Sequence, residues 1–167
     1  MANRFGPEKV LLNRNDFNCS LTWWLESSEK LNIEGAVQSY EHDLHGAYKD
    51  NTGETDLIHI EQRVYLFDQP ISKEQFIEFS AGNDFFSAVA PRWPLVDIPN
   101  GPLATWSEAH CDINAGRNGK TCIVYQSDES LVIRLFLQGT VGPKFDEYMN
   151  FSIQKAAENM LRYNKSP

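Results

Sequence analysis

The sequence lacks long apolar runs and has few cysteines and few basic residues. Its longest apolar stretches, FFSAVA and LFL, fall far short of the roughly 20 residues that a membrane-spanning helix needs. The N-terminus has no apolar segment of signal-peptide length, so we expect a soluble, cytoplasmic protein. A mature form that has lost its leader would have the same sequence pattern. With 41% hydrophobic and 12% aromatic residues among 167, the chain can bury a core.

The three cysteines, Cys19, Cys111 and Cys122, are too few and odd in number for a disulfide framework. The hairpin register expected below places Cys111 and Cys122 about 13 Å apart along their strands, whereas a disulfide needs Cα atoms within about 7 Å. We therefore predict buried free thiols and no disulfide. His110 and Cys111 are adjacent on a predicted strand and point to opposite faces, so we expect no catalytic cysteine.

Acidic residues outnumber basic ones, 23 to 15, which gives a net charge of −8. Most of this charge lies between Glu26 and Glu61, where there are nine acidic and two basic residues. Such a surface repels nucleic acid and anionic membranes, so we expect neither as a partner. The segment is either a solvated face that keeps the protein soluble or a surface matched to a basic protein partner.

The first half of the chain predicts a mixture of helix and strand. A short strand is possible at Lys9 to Asn13, and SLTWWLESSEKLN, which begins at Ser20, favours a helix. IEGAVQSYEHDLHGAY has helical spacing but does not exclude alternation, and KDNTGETD predicts a turn. LIHIEQRVYLF is the clearest strand. Ser72 and Gln75 form a capping-box pattern at the start of a helix whose pattern allows it to continue toward Ala88.

The second half predicts a sheet and a long helix. Residues 90–102 contain four prolines and should form an irregular connection. Three strands are expected at about 103–114, 120–126 and 131–138, followed by a helix from Pro143. Its apolar positions recur at helical spacing: Phe145, Met149, Ile153, Ala156 and Met160. The prediction is a single α+β domain over residues 1–167. Its antiparallel sheet includes a three-stranded meander at about 103–138 and is packed on one face by the C-terminal helix.

Gly119-Lys120-Thr121 looks like the end of a phosphate-binding loop. The first glycine of such a loop would have to stand at position 114, which is asparagine, and the following CIVYQ favours a strand rather than a helix. Asn118-Gly119 instead predicts a two-residue type I′ turn. We expect no nucleotide site and no cofactor.

The predicted turn fixes a strand register. It places Cys111 opposite Gln126, and a second turn at Asp128-Glu129 places Tyr125 opposite Val132. Alternation then sorts the side chains into two faces. The core face would contain Cys111, Ile113, Cys122, Val124, Leu131, Ile133, Leu135 and Leu137. The second face would contain His110, Asp112, Thr121, Ile123, Tyr125, Val132, Arg134 and Phe136.

Two groups of side chains are candidate binding residues. Tryptophan is enriched at binding surfaces, although it also fills small cores. The aromatic group is Trp23, Trp24, Trp93 and Trp106, with the loop PRWPLVDIPNGP as the preferred contact. The polar group is His110, Asp112, Tyr125 and Arg134. His42 and His45 would share one face of a helix and could reach a metal with ligands from elsewhere, but we assign no metal site.

Three interpretations of the function remain open. The first is a small acidic binding protein, of the inhibitor, immunity or chaperone-like type, that engages a basic protein partner; this interpretation favours a protein that is not an enzyme. The alternative is a small-molecule-binding protein or a cofactor-independent enzyme with a pocket on the second face of the sheet. A structural subunit of a larger assembly is a third possibility. A roof over the second face that leaves a cavity would favour the pocket.

Overall fold

The protein is built on a six-stranded antiparallel sheet with the strand order β1-β2-β3-β6-β5-β4. The computed structural model describes residues 6–17, 21–98, 105–114 and 118–165. The strands are β1 (Leu21–Leu31), β2 (Gln38–Lys49), β3 (Thr55–Leu66), β4 (Trp106–Asn114), β5 (Gly119–Asp128) and β6 (Leu131–Thr140). Two three-stranded meanders therefore join through their last strands, where Val64 of β3 pairs with Ile133 of β6.

Within the described ranges, three α-helices accompany the sheet. They are α1 (Lys73–Asn83), α2 (Phe85–Val89) and α3 (Pro143–Lys165), and short 3-10 turns lie at Pro7–Val10, Arg14–Asp16 and Ala90–Arg92. The predicted capping box is present, because Ser72 and Gln75 each accept a backbone N–H of the other. The helix ends earlier than Ala88, since Asp84 is extended and its side chain caps α2 instead.

The long helix covers one face of the sheet, here called the helical face. The five apolar residues predicted to recur along α3 are all buried. They pack against β-strand residues of both meanders, with Val10 and Leu12 of the N-terminal segment filling the space beside them. At Gly139 the Phe145 ring lies so close that a Cβ would be 2.5 Å from it. The α+β class, the antiparallel sheet and the packing of the C-terminal helix are thus confirmed.

The second face is covered over only part of its width. Helices α1 and α2 close an aromatic cluster in which Phe76 meets Tyr65 and Tyr125 at centroid distances of 5.5 and 5.7 Å. Strands β5 and β6 are consequently buried on both faces. Strand β1 is mostly exposed after Leu21, and Glu41, Asp43 and His45 on the second face of β2 are only half-buried. The sheet therefore has a covered half and an uncovered half.

The helix expected from Ser20 is wrong, because residues 21–31 form the edge strand β1. They pair with β2 from Leu21 opposite Tyr48 to Leu31 opposite Ser39, with a bulge between Trp23 and Leu25. These cross-strand contacts outweigh the local helical spacing of the sequence. The short strand expected at Lys9 to Asn13 is also wrong, since Pro7–Val10 is a 3-10 turn.

The β4–β5 hairpin forms, but its register differs from the prediction. Gly119 already lies in β5 opposite Asn114, so the connection spans 115–118, and positive φ (49°) occurs at Asn118. Cys111 therefore pairs with Cys122 and not with Gln126. Residues 115–117 of this connection lie outside the described residues.

The next turn is shifted as well. The two residues between β5 and β6 are Glu129 and Ser130, and Tyr125 pairs with Arg134 and not with Val132. Because both shifts are by an even number of residues, the side chains keep their predicted faces. Burial of Ile133 and Val124 is as expected, but Ile113 is 58% exposed at the end of the sheet, so its assignment to the core is wrong.

The register brings two cysteines together. Cys111 and Cys122 form a disulfide with an S–S distance of 2.04 Å and a Cα–Cα distance of 4.1 Å. Both residues are buried in the helical-face core. The prediction of free thiols and no disulfide is therefore wrong, and its cause is the four-residue error in the β4–β5 pairing. Cys19 lies outside the described residues.

Candidate functional site

The four tryptophans predicted to bind a partner lie at separate places. Trp23 packs against Phe17 on the helical face, with ring centroids 5.0 Å apart, and its ring lies over Gly46. Trp24, at the bulge of β1, is 56% exposed. Trp93 and Trp106 are partly buried against the aromatic cluster under α1, and the Trp106 indole donates to the Ile71 carbonyl at 3.0 Å.

The polar residues predicted to form one cluster are divided by the true register. His110 is 5% exposed, lies opposite Ile123, and contacts the Glu108 carboxylate at 2.7 Å. Asp112 is exposed near the end of β4. Tyr125 and Arg134 lie opposite each other, fully buried beneath the α1–α2 segment. Their role in binding stays a prediction, but they do not share one surface.

Arg134 is the centre of a buried ionic network. It pairs with Glu61 of β3, and its Nη2 donates to Asp84 Oδ2 at 2.8 Å. Arg63 completes the network by donating to Glu41 at 2.5 Å and to Asp84 Oδ1 at 3.3 Å. This arrangement attaches the start of α2 to the middle of the sheet.

Burial by itself would raise the pKa of the Asp84 carboxyl. Arg134, the hydrogen bonds from Ser87, and Arg63 outweigh that effect and hold the pKa below its ordinary value of 3.8. Asp84 is therefore ionised at neutral pH, as its two arginine partners require.

A polar surface adjoins this network on the uncovered half of the second face. We call it the open face and define it by six residues: Glu29, Glu41, Asp43, His45, His59 and Glu61. Strand alternation places the residues of each strand on the same side. In the β2–β3 pairing, Asp43 lies opposite Glu61 and His45 lies opposite His59.

The two histidines of the open face are in contact. Their rings stack with centroids 4.1 Å apart and an interplanar angle of 12°, and His59 Nε2 lies 2.8 Å from Asp43 Oδ1. The nearest metal-ligating atoms of Asp43, His45 and His59 all lie within 4.8 Å of one another. The three residues are half-buried, so the group is accessible from solvent.

The electrostatics of the open face follow from partial burial and from its neighbours. Desolvation lowers the pKa of His45, and the nearby His59 lowers it further. Desolvation raises the pKa of Glu41, although Arg63 opposes that change. Beside these groups, a depression of about 240 Å³ is lined by Ser27, Ser28, Glu29, Glu41 and Asp43. Its lining can accept hydrogen bonds from a cationic group.

A helix at residues 42–45 would put His42 and His45 on one face, and this expectation conceals the open face. On the strand β2 they point to opposite faces. His42 is buried on the helical-face side and contacts Glu26 at 3.2 Å. The signal was present in EHDLH, where alternation pairs Glu41 with Asp43 and His45.

The chain resembles a known protein in fold and not in sequence. No protein-family model matches the sequence, and no curated protein matches it significantly. The fold is similar to the crystal structure of the extracellular domain of PknH from Mycobacterium tuberculosis, with a TM-score of 0.54 and 12% sequence identity. The match covers 98% of this chain and 99% of that one. At this identity, the likeness shows the fold.

These findings bear on the expected location. Disulfides persist in oxidising compartments and are rare in the cytosol. The Cys111–Cys122 bridge and the extracellular setting of the structural neighbour contradict the cytoplasmic location predicted from the sequence. Among the described residues, no helix is long and apolar enough to cross a membrane. The chain is thus similar in fold to an extracellular domain.

Proposed function

We propose that the protein is a binding domain that works outside the cytoplasm and engages a basic protein partner through its open face. The observation that carries the proposal is the uneven cover of the sheet, since α1 and α2 bury one half and leave the acidic half accessible. The buried disulfide and the extracellular domain with a similar fold support the location.

Part of the acidic charge of the sequence lies at this surface. Of the nine acidic residues from Glu26 to Glu61, four belong to the open face: Glu29, Glu41, Asp43 and Glu61. Arg63 and Arg134 compensate the inner carboxylates of Glu41 and Glu61. In the part of the chain that the structure describes, neither Glu29 nor Asp43 pairs with these arginines. They leave a negative surface that attracts lysine and arginine side chains and raises the association rate.

An apolar contact borders the acidic residues. Trp24 and Leu25 at the β1 bulge are 56% and 46% exposed, and Leu25 pairs with His45 of the open face. Tryptophan is enriched among the residues that dominate binding energy, and Leu25 extends the apolar surface beside Trp24. The pocket alternative gains no support here, because Tyr125 and Arg134 are fully buried.

The experiment compares charge removal at two places. Proteins from the cell-surface fraction of the source organism are captured at low salt, and a captured partner is purified for association measurements by surface plasmon resonance. The test variant is Glu29→Gln with Asp43→Asn. The control is Glu74→Gln with Glu147→Gln, two exposed acidic residues on α1 and α3 whose loss changes the net charge equally.

The proposal expects the wild-type association rate to rise about tenfold or more as ionic strength falls from 150 to 15 mM, in the range of steered association. The open-face variant should lose most of this gain, and the control variant should keep it. Equal losses in both variants, or a rate indifferent to salt, would refute the proposal.

A further inference from the structure

We propose that Asp43, His45 and His59 form a binding site for a divalent transition-metal ion, with Zn²⁺ as the best match. The site lies on the open face but does not depend on the proposed protein partner. It combines one carboxylate with two imidazoles, and Zn²⁺ is commonly bound by these ligand types.

The backbone holds the three residues at adjacent positions. His45 and His59 are directly opposite in the β2–β3 ladder, and Asp43 lies two residues before His45 on the same face. Strand β2 is flanked by β1 and β3, and β3 by β2 and β6. Both strands are therefore paired on each side, which keeps the three Cα positions fixed while the side chains can rotate.

The distances between the ligand atoms are close to those of a metal site. A tetrahedral ion with bonds of about 2.0–2.2 Å brings its ligand atoms to about 3.3–3.6 Å from one another. The ligand atoms here lie within 4.8 Å, and His59 Nε2 is already 2.8 Å from Asp43 Oδ1. Because the two imidazole rings stack face to face, they must turn before both ring-nitrogen lone pairs point toward one ion. Three protein ligands leave a fourth position for water or a partner side chain.

The surroundings favour a bound cation. Asp43, His45 and His59 are all half-buried, so the site is partly shielded from solvent. The His59 ring packs edge-on against Phe136 at 5.4 Å, and Phe136 packs against Phe86 at 4.5 Å. This aromatic wall reduces solvent access on one side of the site.

A second group of possible ligands is less suitable. Glu41, Asp43 and Glu61 also bring carboxylate oxygens within 4.8 Å of one another. Glu41 is bound to Arg63, however, and Glu61 is paired with Arg134, so a metal would have to displace guanidinium groups. These carboxylates contribute negative potential near the site, and the ligands we assign are Asp43, His45 and His59.

The test uses the full chain without a His tag, freed of metal with a chelator, and Zn²⁺ as the only added ligand. Isothermal titration at pH 7.4 should show one ion per chain. His45→Gln and His59→Gln should each weaken Zn²⁺ binding by about 10–100-fold or more. Changes to residues that only support a metal ligand have effects of this size, and these variants remove a ligand itself. His42→Gln, a histidine on the opposite face of the same strand, should leave binding unchanged.

A second measurement needs no variant. In ¹⁵N spectra of the wild-type imidazoles, Zn²⁺ should shift the ring nitrogens of His45 and His59 and leave those of His42 and His110 in place. Absence of binding at 100 μM Zn²⁺ would overturn the proposal, as would shifts confined to other histidines. Because no protein partner is present, failure here is separate from failure of the proposed function.

Discussion

Reduction of the Cys111–Cys122 disulfide should destabilise the protein without altering its folded structure. The two residues lie on paired strands, and β5 is also paired with β6 on its other side. The hydrogen-bond ladder therefore holds both residues in place when the bond is broken. The main effect should be on the unfolded chain, which gains freedom once the cross-link is lost.

The size of the effect follows from the short loop that the bond closes. The cysteines are separated by 11 residues in sequence, for which the loop-entropy relation gives about 2.8 kcal/mol at 25 °C. For a domain of this size, that corresponds to a fall in melting temperature of about 6–11 °C.

The assay is urea unfolding followed by circular dichroism, with and without a phosphine reductant. A Cys19→Ala background removes reactions of the third cysteine. As a control, the same reductant should not shift the unfolding of the variant in which Cys111 and Cys122 are both alanine. Unfolding midpoints that are equal before and after reduction would refute this reasoning, as would alkylation of both cysteines in unreduced, denatured protein.

The remaining predictions concern the buried ionic network. Arg134→Met should lower the free energy of unfolding by about 3–5 kcal/mol, since Glu61 and Asp84 lose their buried partner. As a control, Arg14→Met removes an exposed ion pair with Glu26. It should lower the free energy of unfolding by at most about 1 kcal/mol in the same urea titrations. The depressed pKa of Asp84 contributes stability that is present above pH 3.8 and is lost as the pH falls through the lower folded pKa. Asp84→Asn should therefore flatten the pH dependence of stability below pH 4, and an unchanged acid profile would contradict the assignment.

Much of the second half of the fold can be predicted from sequence. The period of apolar residues along α3 is unambiguous, and the alternation of β5 and β6 assigns the faces correctly. The strand register could not be obtained the same way. Asn118-Gly119 favours a tight turn, but a longer connection is compatible with the same two residues, and the alternation of side chains does not distinguish shifts by an even number of residues.

The first half shows a different limit. LTWWLESSEKL has a local spacing compatible with a helix, yet as β1 it pairs with β2 over its whole length. The information that decides its structure lies in the partner strand. The same error concealed the open face, because His45 meets Asp43 and His59 only when β2 is a strand. The Arg134 network could not be predicted from the sequence either, because its partner Asp84 belongs to a separate element, at the start of α2.

The two edges of the sheet differ in a way that limits self-assembly. Along β4, the Val96 N–H donates to the Ala109 carbonyl, and the Cys111 N–H donates to the Pro94 carbonyl, so the proline-containing segment covers the middle of that edge. The β1 edge carries the bulge and charged side chains, which discourage pairing. The two edges are therefore protected in different ways, β4 by backbone bonds to a neighbouring segment and β1 by its own irregular and charged strand. Within the described residues, neither edge offers the long, flat and unpaired strand from which a continuous filament grows.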